Sequence, residues 1–503
     1  MNSTSADDLR VGPRANTAVR SHVVAARVLT AVALVAAASF AGIAGAADAP
    51  PTVAAGPVTL TFGGFTALEG VYRSKNQAAD IGSNFNTGIP FDYQANAHLS
   101  EFRMSARQSR FSLLAQGPQT GAYRAEGYLE TDFLSSGVSS NSSESNSYTL
   151  RVRHFYGVLR NTESAWYMLA GQDWSYATLS TSGTMQPRTE QIPLTIDAQY
   201  VVGFNWTRNA QLRLVKLLGD KASVGISFES PQAAFTPGPS TANSCTSSGA
   251  VTGSPGGSLL NSTTCYSLDF APDVIAKFAV NPGFGHFELY GMGRGFRDRY
   301  EPTAGSVAGS NNTTWGGGIG AGLIIPMASA PFYFQASGLV GDGIGRYGSG
   351  QLPDATIRSD GTVSTIPAAQ VLLGLVAKPT PTLQIYLYGG EEQARSRAFT
   401  NAAGTKQFGY GNPAYDNSGC DLVTGSSATC VGNTKRLEQV TLGDWWKFYQ
   451  GKAGMMEIGA SYSYLHRNAF AGTAGAPSTN DNIVMLSFRY YPFQPVPASY
   501  LRP

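Results

Sequence analysis

Charge is scarce in this chain. Of its 503 residues only 14% are Asp, Glu, Lys or Arg, and 35 basic side chains nearly cancel 33 acidic ones. Nucleic acids and anionic membrane surfaces select a basic surplus, so bulk charge points to neither as a partner. Cysteine is scarcer still, with four residues in all. Neither local pair, Cys245 with Cys265 nor Cys420 with Cys430, has the short spacing of a zinc site. His98, His154, His286 and His466 fall in no metal-ligating motif, so no metal or cofactor is expected. Beyond residue 57 there is no apolar run long enough for a membrane-spanning helix. Glycine and aromatic residues, by contrast, are plentiful, at 58 Gly and 11% Phe, Trp and Tyr. An apolar content of 42% is too high for a disordered chain. Large β structure, in which Gly and aromatics alternate with polar residues, fits this balance.

The first residues read as an export signal. Arg10, Arg14, Arg20 and Arg27 precede an uncharged Ala- and Val-rich run over Val28 to Ala47. Ala44-Gly45-Ala46 offers the small side chains that a signal peptidase needs. The run is also just long enough for a single membrane anchor. The small-residue site and the two glycines inside the run favour cleavage after Ala46. Cleavage removes four Arg and two Asp and leaves a mature chain of zero net charge. In an oxidising compartment, Cys245 with Cys265 and Cys420 with Cys430 would each staple a Ser- and Gly-rich loop.

Period-two alternation then runs to the end of the chain. Leu68 and Tyr72 share a face, with Glu69 and Arg73 opposite. Tyr123, Ala125, Leu129 and Phe133 oppose Arg124, Glu126, Glu130 and Asp132. Val484, Leu486, Phe488 and Tyr490 oppose Ser487 and Arg489. Sixteen strands are expected, near 58–73, 99–116, 122–133, 149–160, 166–174, 202–217, 221–229, 270–280, 284–297, 313–325, 331–341, 367–377, 383–397, 435–449, 454–467 and 482–493. Connectors alternate long and short, and the short ones carry turn residues such as Gly117-Pro118, Gly219-Asp220 and Asn281-Pro282-Gly283. An even strand number with alternating loop lengths is the pattern of an all-β transmembrane antiparallel barrel, with long extracellular loops and short periplasmic turns. The expected organisation is a signal over 1–46, a short periplasmic linker over 47–57, a barrel over 58–493 and a C-terminal extension over 494–503. A soluble β-sandwich alternates too, but shows its charges to water. Aromatic pairs near strand ends, Trp166-Tyr167, Trp445-Trp446 and Tyr490-Tyr491 among them, are expected to form interfacial girdles.

A barrel of this size is wide enough for an aqueous channel. Arg103, Arg107 and Arg110 fall on one strand, whose alternation slips between Gln108 and Phe111. A bulge there would turn Arg110 inward. Arg124 lies on the next strand, and Arg151 and Arg153 on the one after it. These six arginines are expected to line the pore and attract anions, with Glu126, Glu130 and Asp132 as opposite charges that face or pair with them. The third long connector, 175–201, carries Arg188, Glu190 and Asp197. It is expected to fold inward as a constriction before Tyr200 to Trp206 rejoins the wall.

The runs Ser105 to Phe111, Glu126 to Phe133, Leu150 to Gly157 and Leu169 to Ser175 resemble the DcaP-like outer-membrane porins. So do Trp445 to Lys452 and Ile458 to Tyr464. The resemblance spans residues 60 to 493 discontinuously. It implies a homotrimer of sixteen-stranded barrels in outer-membrane lipid, passing small anionic solutes such as dicarboxylates. Two departures stand out. The 47–57 segment is too short for the helical segment that often precedes the barrel in that family, and ten residues follow Phe493. Three other readings compete: a non-selective general porin, a barrel enzyme and a surface adhesin. A glycine-rich spelling at Gly316 to Gly322 lacks any βαβ context and reads as strand rather than nucleotide site.

Overall fold

The computed structural model describes residues 52–135, 149–236, 246–247, 250–255, 265–301, 309–327, 331–423, 429–451 and 453–493. The expected signal, the first part of the linker, Cys245 and the C-terminal extension lie outside the described residues.

Sixteen strands form the wall. They are β1 (Val58–Arg73), β2 (Glu101–Ser105 and Arg110–Gln116), β3 (Tyr123–Asp132), β4 (Arg151–Asn161), β5 (Trp166–Trp174), β6 (Arg208–Leu217), β7 (Ala222–Glu229) and β8 (Asp273–Val280). They continue as β9 (His286–Tyr300), β10 (Ser310–Pro326), β11 (Phe332–Asp342), β12 (Pro367–Thr380), β13 (Leu383–Ala394), β14 (Thr434–Gly451), β15 (Gly454–Ala469) and β16 (Ser478–Tyr491). Each pairs antiparallel with its sequence neighbours. Thr66–Arg73 of β1 then pairs with Ile483–Tyr490 of β16 and closes the sheet. A closed sheet has no unpaired edge, which is what lipid demands of β structure. Eight long loops, L1 to L8, leave one end of the barrel: 74–100, 133–150, 175–207, 230–272, 301–309, 343–366, 395–433 and 470–477. Seven short turns close the other. Gly316 to Gly322 lies within β10. Residues 52–55 of the expected linker form a short strand against Val58–Thr61 of β1.

Burial separates this barrel from a sandwich. The outward side chains are apolar and exposed: Leu68, Phe102, Met104, Phe155, Leu212, Leu289, Ile319, Val340, Leu373, Leu387, Leu442 and Leu486. The inward ones are polar and buried: Glu69, Arg73, Arg153, Asp173, Arg213, Lys277, Glu288, Arg294, Gln335, Glu392 and Gln439. A water-soluble domain has the opposite distribution. An apolar band outside a polar lumen is the transmembrane arrangement.

The lumen is partly filled by its own loops. Ile81, Phe85 and Ile89 of L1, Ile196, Val201, Val202 and Phe204 of L3, and Leu352 and Ile366 of L6 form one apolar cluster. They pack with Leu372, Val376, Tyr386, Tyr388 and Trp445 of the wall. Burying each such side chain contributes roughly 1.5–3 kcal/mol. Two expectations are corrected here. Tyr200 to Trp206 does not rejoin the wall, and β6 begins at Arg208. Buried acceptors hold this segment in the lumen: the Val202 N–H donates to Gln439 and the Gly203 N–H to Glu392, both at 2.8 Å. The aromatic pairs do not form girdles as pairs either. Successive side chains on a strand face opposite ways, so Tyr167 and Trp445 are buried inside the barrel. Their neighbours Trp166 and Trp446 share the outer face with Tyr123 and Phe448.

Candidate functional site: the constricted lumen

Two register irregularities set the charges in the upper wall. Between Ser105 and Arg110 the pairing of β2 with β1 gains one residue, so Arg110 lies opposite inward-facing Phe65. Between Glu130 and Thr131 the pairing of β3 with β4 shifts again, and the extra residue is Arg153. A bulge of this kind re-aims side chains. Arg153 and His154, adjacent in sequence, are both buried inside. Simple alternation would have put His154 outside.

These side chains form a chain of ion pairs. Arg153 donates to Glu130 at 2.5 Å and to Asp132 at 2.9 Å. Arg151 holds both oxygens of Asp132, at 2.8 and 2.7 Å. Arg110 reaches Glu130 only at 3.8 Å. His154 Nδ1 lies 2.8 Å from Asp173 of β5, whose other oxygen is 3.5 Å from Arg213.

L3 crosses the lumen. It descends from Trp174 along β5 to β9 until the Gly183 carbonyl accepts a hydrogen bond from Ser223, beside the short-turn end. There Tyr167 Oη donates to the Met185 carbonyl. The loop then turns toward the opposite wall. Gln191 donates to Gln335 at 2.8 Å, the Leu194 N–H donates to Tyr388 Oη at 3.2 Å, and Trp445 Nε1 donates to the Leu194 carbonyl at 2.6 Å. Arg489 of β16 secures the far end by donating to the Ile196 carbonyl at 3.1 Å and to Gln108 at 2.9 Å. Its guanidinium lies over Trp445 and Phe65, at 4.4 and 4.9 Å from the ring centroids. Glu392 is fully buried and accepts from Gly203 of L3 at 2.8 Å and from Gly350 of L6 at 3.0 Å. One carboxylate therefore fixes two loops.

The first half of L3 thus fills the lumen against β5 to β9. A cavity of about 370 Å³ remains between residues 188–199 and the other walls. Arg110, Arg153, Arg188, Arg489, Lys378 and Lys447 line it, together with Glu130, Asp173, Glu190 and Glu457. Burial, reinforced by Asp173, pushes the Glu190 carboxyl up to about 8 against the pull of Arg213 and Arg188. Burial also pushes the Asp197 carboxyl well up.

The structure divides the arginines named from sequence. Arg110 and Arg153 line the cavity, as do Arg188 and Glu190 of L3. Arg107 does not. It sits in the β2 irregularity, 3.2 Å from Asp80 of L1, and donates to the carbonyls of Phe133 and Ser135. Arg103 stands at the long-loop mouth beside Glu101, its side chain 52% exposed. Arg151 is tied to Asp132. Arg124 is half-buried opposite Arg160 near the short-turn end. Glu126 pairs with Arg160 at 2.5 Å and with Arg188 at 3.6 Å. Asp197 faces a second, much smaller space beneath L1 and not the main cavity. Cys420 and Cys430 are joined across L7. Cys265 is disulfide-bonded, and its expected partner Cys245 is outside the described residues. Sequence reasoning missed Lys378, Lys447, Glu457 and Arg489 as site residues. Alternation did place Arg489 on the polar face, but nothing local links it to L3. Among the described residues no group of His, Cys, Asp and Glu could hold a metal ion.

No protein-family model matches the chain, and no curated protein does. Solved structures do. The outer-membrane channel DcaP of Acinetobacter baumannii matches 88% of this chain and 100% of its own, at 17% identity and a TM-score of 0.59. The fold is that of the DcaP channel. An anion-selective porin from Comamonas acidovorans aligns over 86% of this chain and 99% of its own, at 11% identity and a TM-score of 0.45. OprB of Pseudomonas putida aligns over 86% and 94%, at 10% identity and a TM-score of 0.45. Likeness to DcaP at this identity fixes architecture and leaves the lumen to be read from its own side chains.

Proposed function

We propose that this protein is a passive outer-membrane channel that favours small anionic solutes, dicarboxylates among them. The observation that carries the reading is the cavity wall, where six cations face four carboxylates. Arg153 is matched by Glu130 and Asp132, so its field is largely cancelled locally. Arg110 reaches Glu130 only at 3.8 Å, and Lys447 makes no salt bridge among the described residues, so both contribute more to the open space. Burial and Asp173 shift the Glu190 carboxyl toward its neutral form, which reduces the negative charge on the L3 side. Such a field attracts anions, and the water-filled surroundings keep binding weak enough for release. The leader over 1–46 supports export to the outer membrane, and the family resemblance supports a homotrimer.

The test is a reversal potential across a planar bilayer holding the refolded mature chain under a salt gradient, followed by addition of a dicarboxylate. Anion preference with dicarboxylate-dependent current noise is expected. Conductance without ion preference would reduce the reading to a general porin. An absence of conductance would overturn it.

A further inference from the structure

One carboxylate lies on the wrong face of the wall. Asp444 of β14 points outward, because Gly443 beside it faces the buried Tyr386 hydroxyl and Trp445 on its other side reaches inward to L3. Its cross-strand partners are Ile385 of β13 and Ala460 of β15. Along its own strand the outward neighbours are Leu442, which is 53% exposed, and Trp446. Leu387 and Ile458 complete the apolar surround. Asp444 has no hydrogen bond or ion pair among the described residues.

An ionisable side chain in an apolar membrane band is costly and calls for a partner. Its depth narrows the choice. Trp446 and Phe448 of β14 pack with Phe488 of β16 as an outer aromatic cluster at the short-turn end. Such clusters sit at headgroup level. Asp444 is two residues farther in than Trp446, about 7 Å along the strand. That position is within reach of a lipid headgroup of the inner leaflet. Among its described residues, a second copy of the chain offers no cation there. Among the described wall residues, the outward cation of the short-turn half is Lys216, level with Trp166. It stands on β6, eight strands around from β14. A closed ring of three barrels meets its neighbours through faces on the same side of each barrel, so Lys216 of one copy cannot reach Asp444 of the next.

We infer that Asp444, with the aromatic cluster beneath it, is a binding site for a phospholipid bearing a primary ammonium headgroup. The ammonium donates hydrogen bonds to the carboxylate, and Trp446 and Phe448 flank the glycerol region. A charge-assisted bond of this kind distinguishes a primary ammonium from a glycerol or a quaternary ammonium headgroup. The site is independent of what the lumen carries.

The test is native mass spectrometry of the full mature protein, stripped of lipid and then offered phosphatidylethanolamine, phosphatidylcholine or phosphatidylglycerol. The wild type is expected to retain one phosphatidylethanolamine per barrel at least tenfold more tightly than either other lipid. Asp444→Asn should lose that preference and Asp444→Glu should keep it, with heat-modifiable migration on gels confirming that both variants fold. Equal retention of the three lipids by the wild type would overturn the site. An unchanged preference in Asp444→Asn would do so too. A change of oligomer mass in Asp444→Asn without any change in bound lipid would overturn it in favour of a protein contact.

Discussion

Raising the pH through 8 should weaken the anion preference of the channel, and Glu190 should be the cause. Its carboxyl lines the cavity on L3. The titratable and charged groups around it are Asp173 and the neutral Tyr167 of β5, Arg213 of β6, Lys277 of β8 and Arg188 of L3 itself. Burial and Asp173 raise its titration to about 8. Below that pH the group is neutral and the cavity holds six cations against three charged carboxylates. Above it a fourth negative charge appears. One added charge about 5 Å from a passing anion, in water-like dielectric, costs ~0.8 kcal/mol, about a fourfold change in partition. A Debye length of about 10 Å at 0.1 M salt trims this to roughly twofold to fourfold. The assay is the anion-to-cation permeability ratio from reversal potentials at pH 6 and pH 9.5. The ratio should fall by that factor in the wild type and hold steady in Glu190→Gln, which keeps the neutral shape. An equal fall in Glu190→Gln would refute the assignment, as would a wild-type ratio that rises with pH.

Four further outcomes follow from the loop anchors and the wall. Glu392→Ala leaves the N–H groups of Gly203 and Gly350 without their buried acceptor, so thermal unfolding should be destabilised by about 2–5 kcal/mol and single-channel current should become noisier. Arg153→Ala leaves Asp132 with Arg151 but takes from Glu130 its close cationic partner in the wall, and should destabilise by about 3–5 kcal/mol. Arg110→Ala, which removes a 3.8 Å ion contact and a guanidinium 5.2 Å from the Phe65 ring centroid, should lower anion preference with a stability change of about 1 kcal/mol; equal unfolding temperatures for these two variants would contradict the assigned pairing. Gly203→Ala should displace L3 and change conductance, because Gly203 has a φ of +86° and its added Cβ would meet the Val371 carbonyl.

The order and number of the strands were legible in the chain itself. Period-two alternation is a property of the extended backbone, and Gly, Pro and Asn mark the turns wherever they occur. The slip between Gln108 and Phe111 likewise announced the irregularity that turns Arg110 inward. The second irregularity, at Arg153 and His154, left no such trace, because the residues on both sides read as ordinary alternation. Which arginines serve the pore was not legible either. Arg107 and Arg110 are three residues apart, yet one holds two loops and the other lines the cavity. That division depends on Asp80 and Phe133 arriving from L1 and L2, and no local pattern encodes their arrival. Arg489 belongs to the last strand, while the carbonyl it binds is 293 residues away in L3.

Local geometry therefore determined the wall, through backbone periodicity and turn chemistry that act over a few residues. The tertiary structure alone decided which face meets lipid, because inside and outside are relations between a strand and its surroundings. It also decided the site. A lumen charge is defined only after register and loop path have chosen its partner, and both are set by packing between segments far apart in the chain.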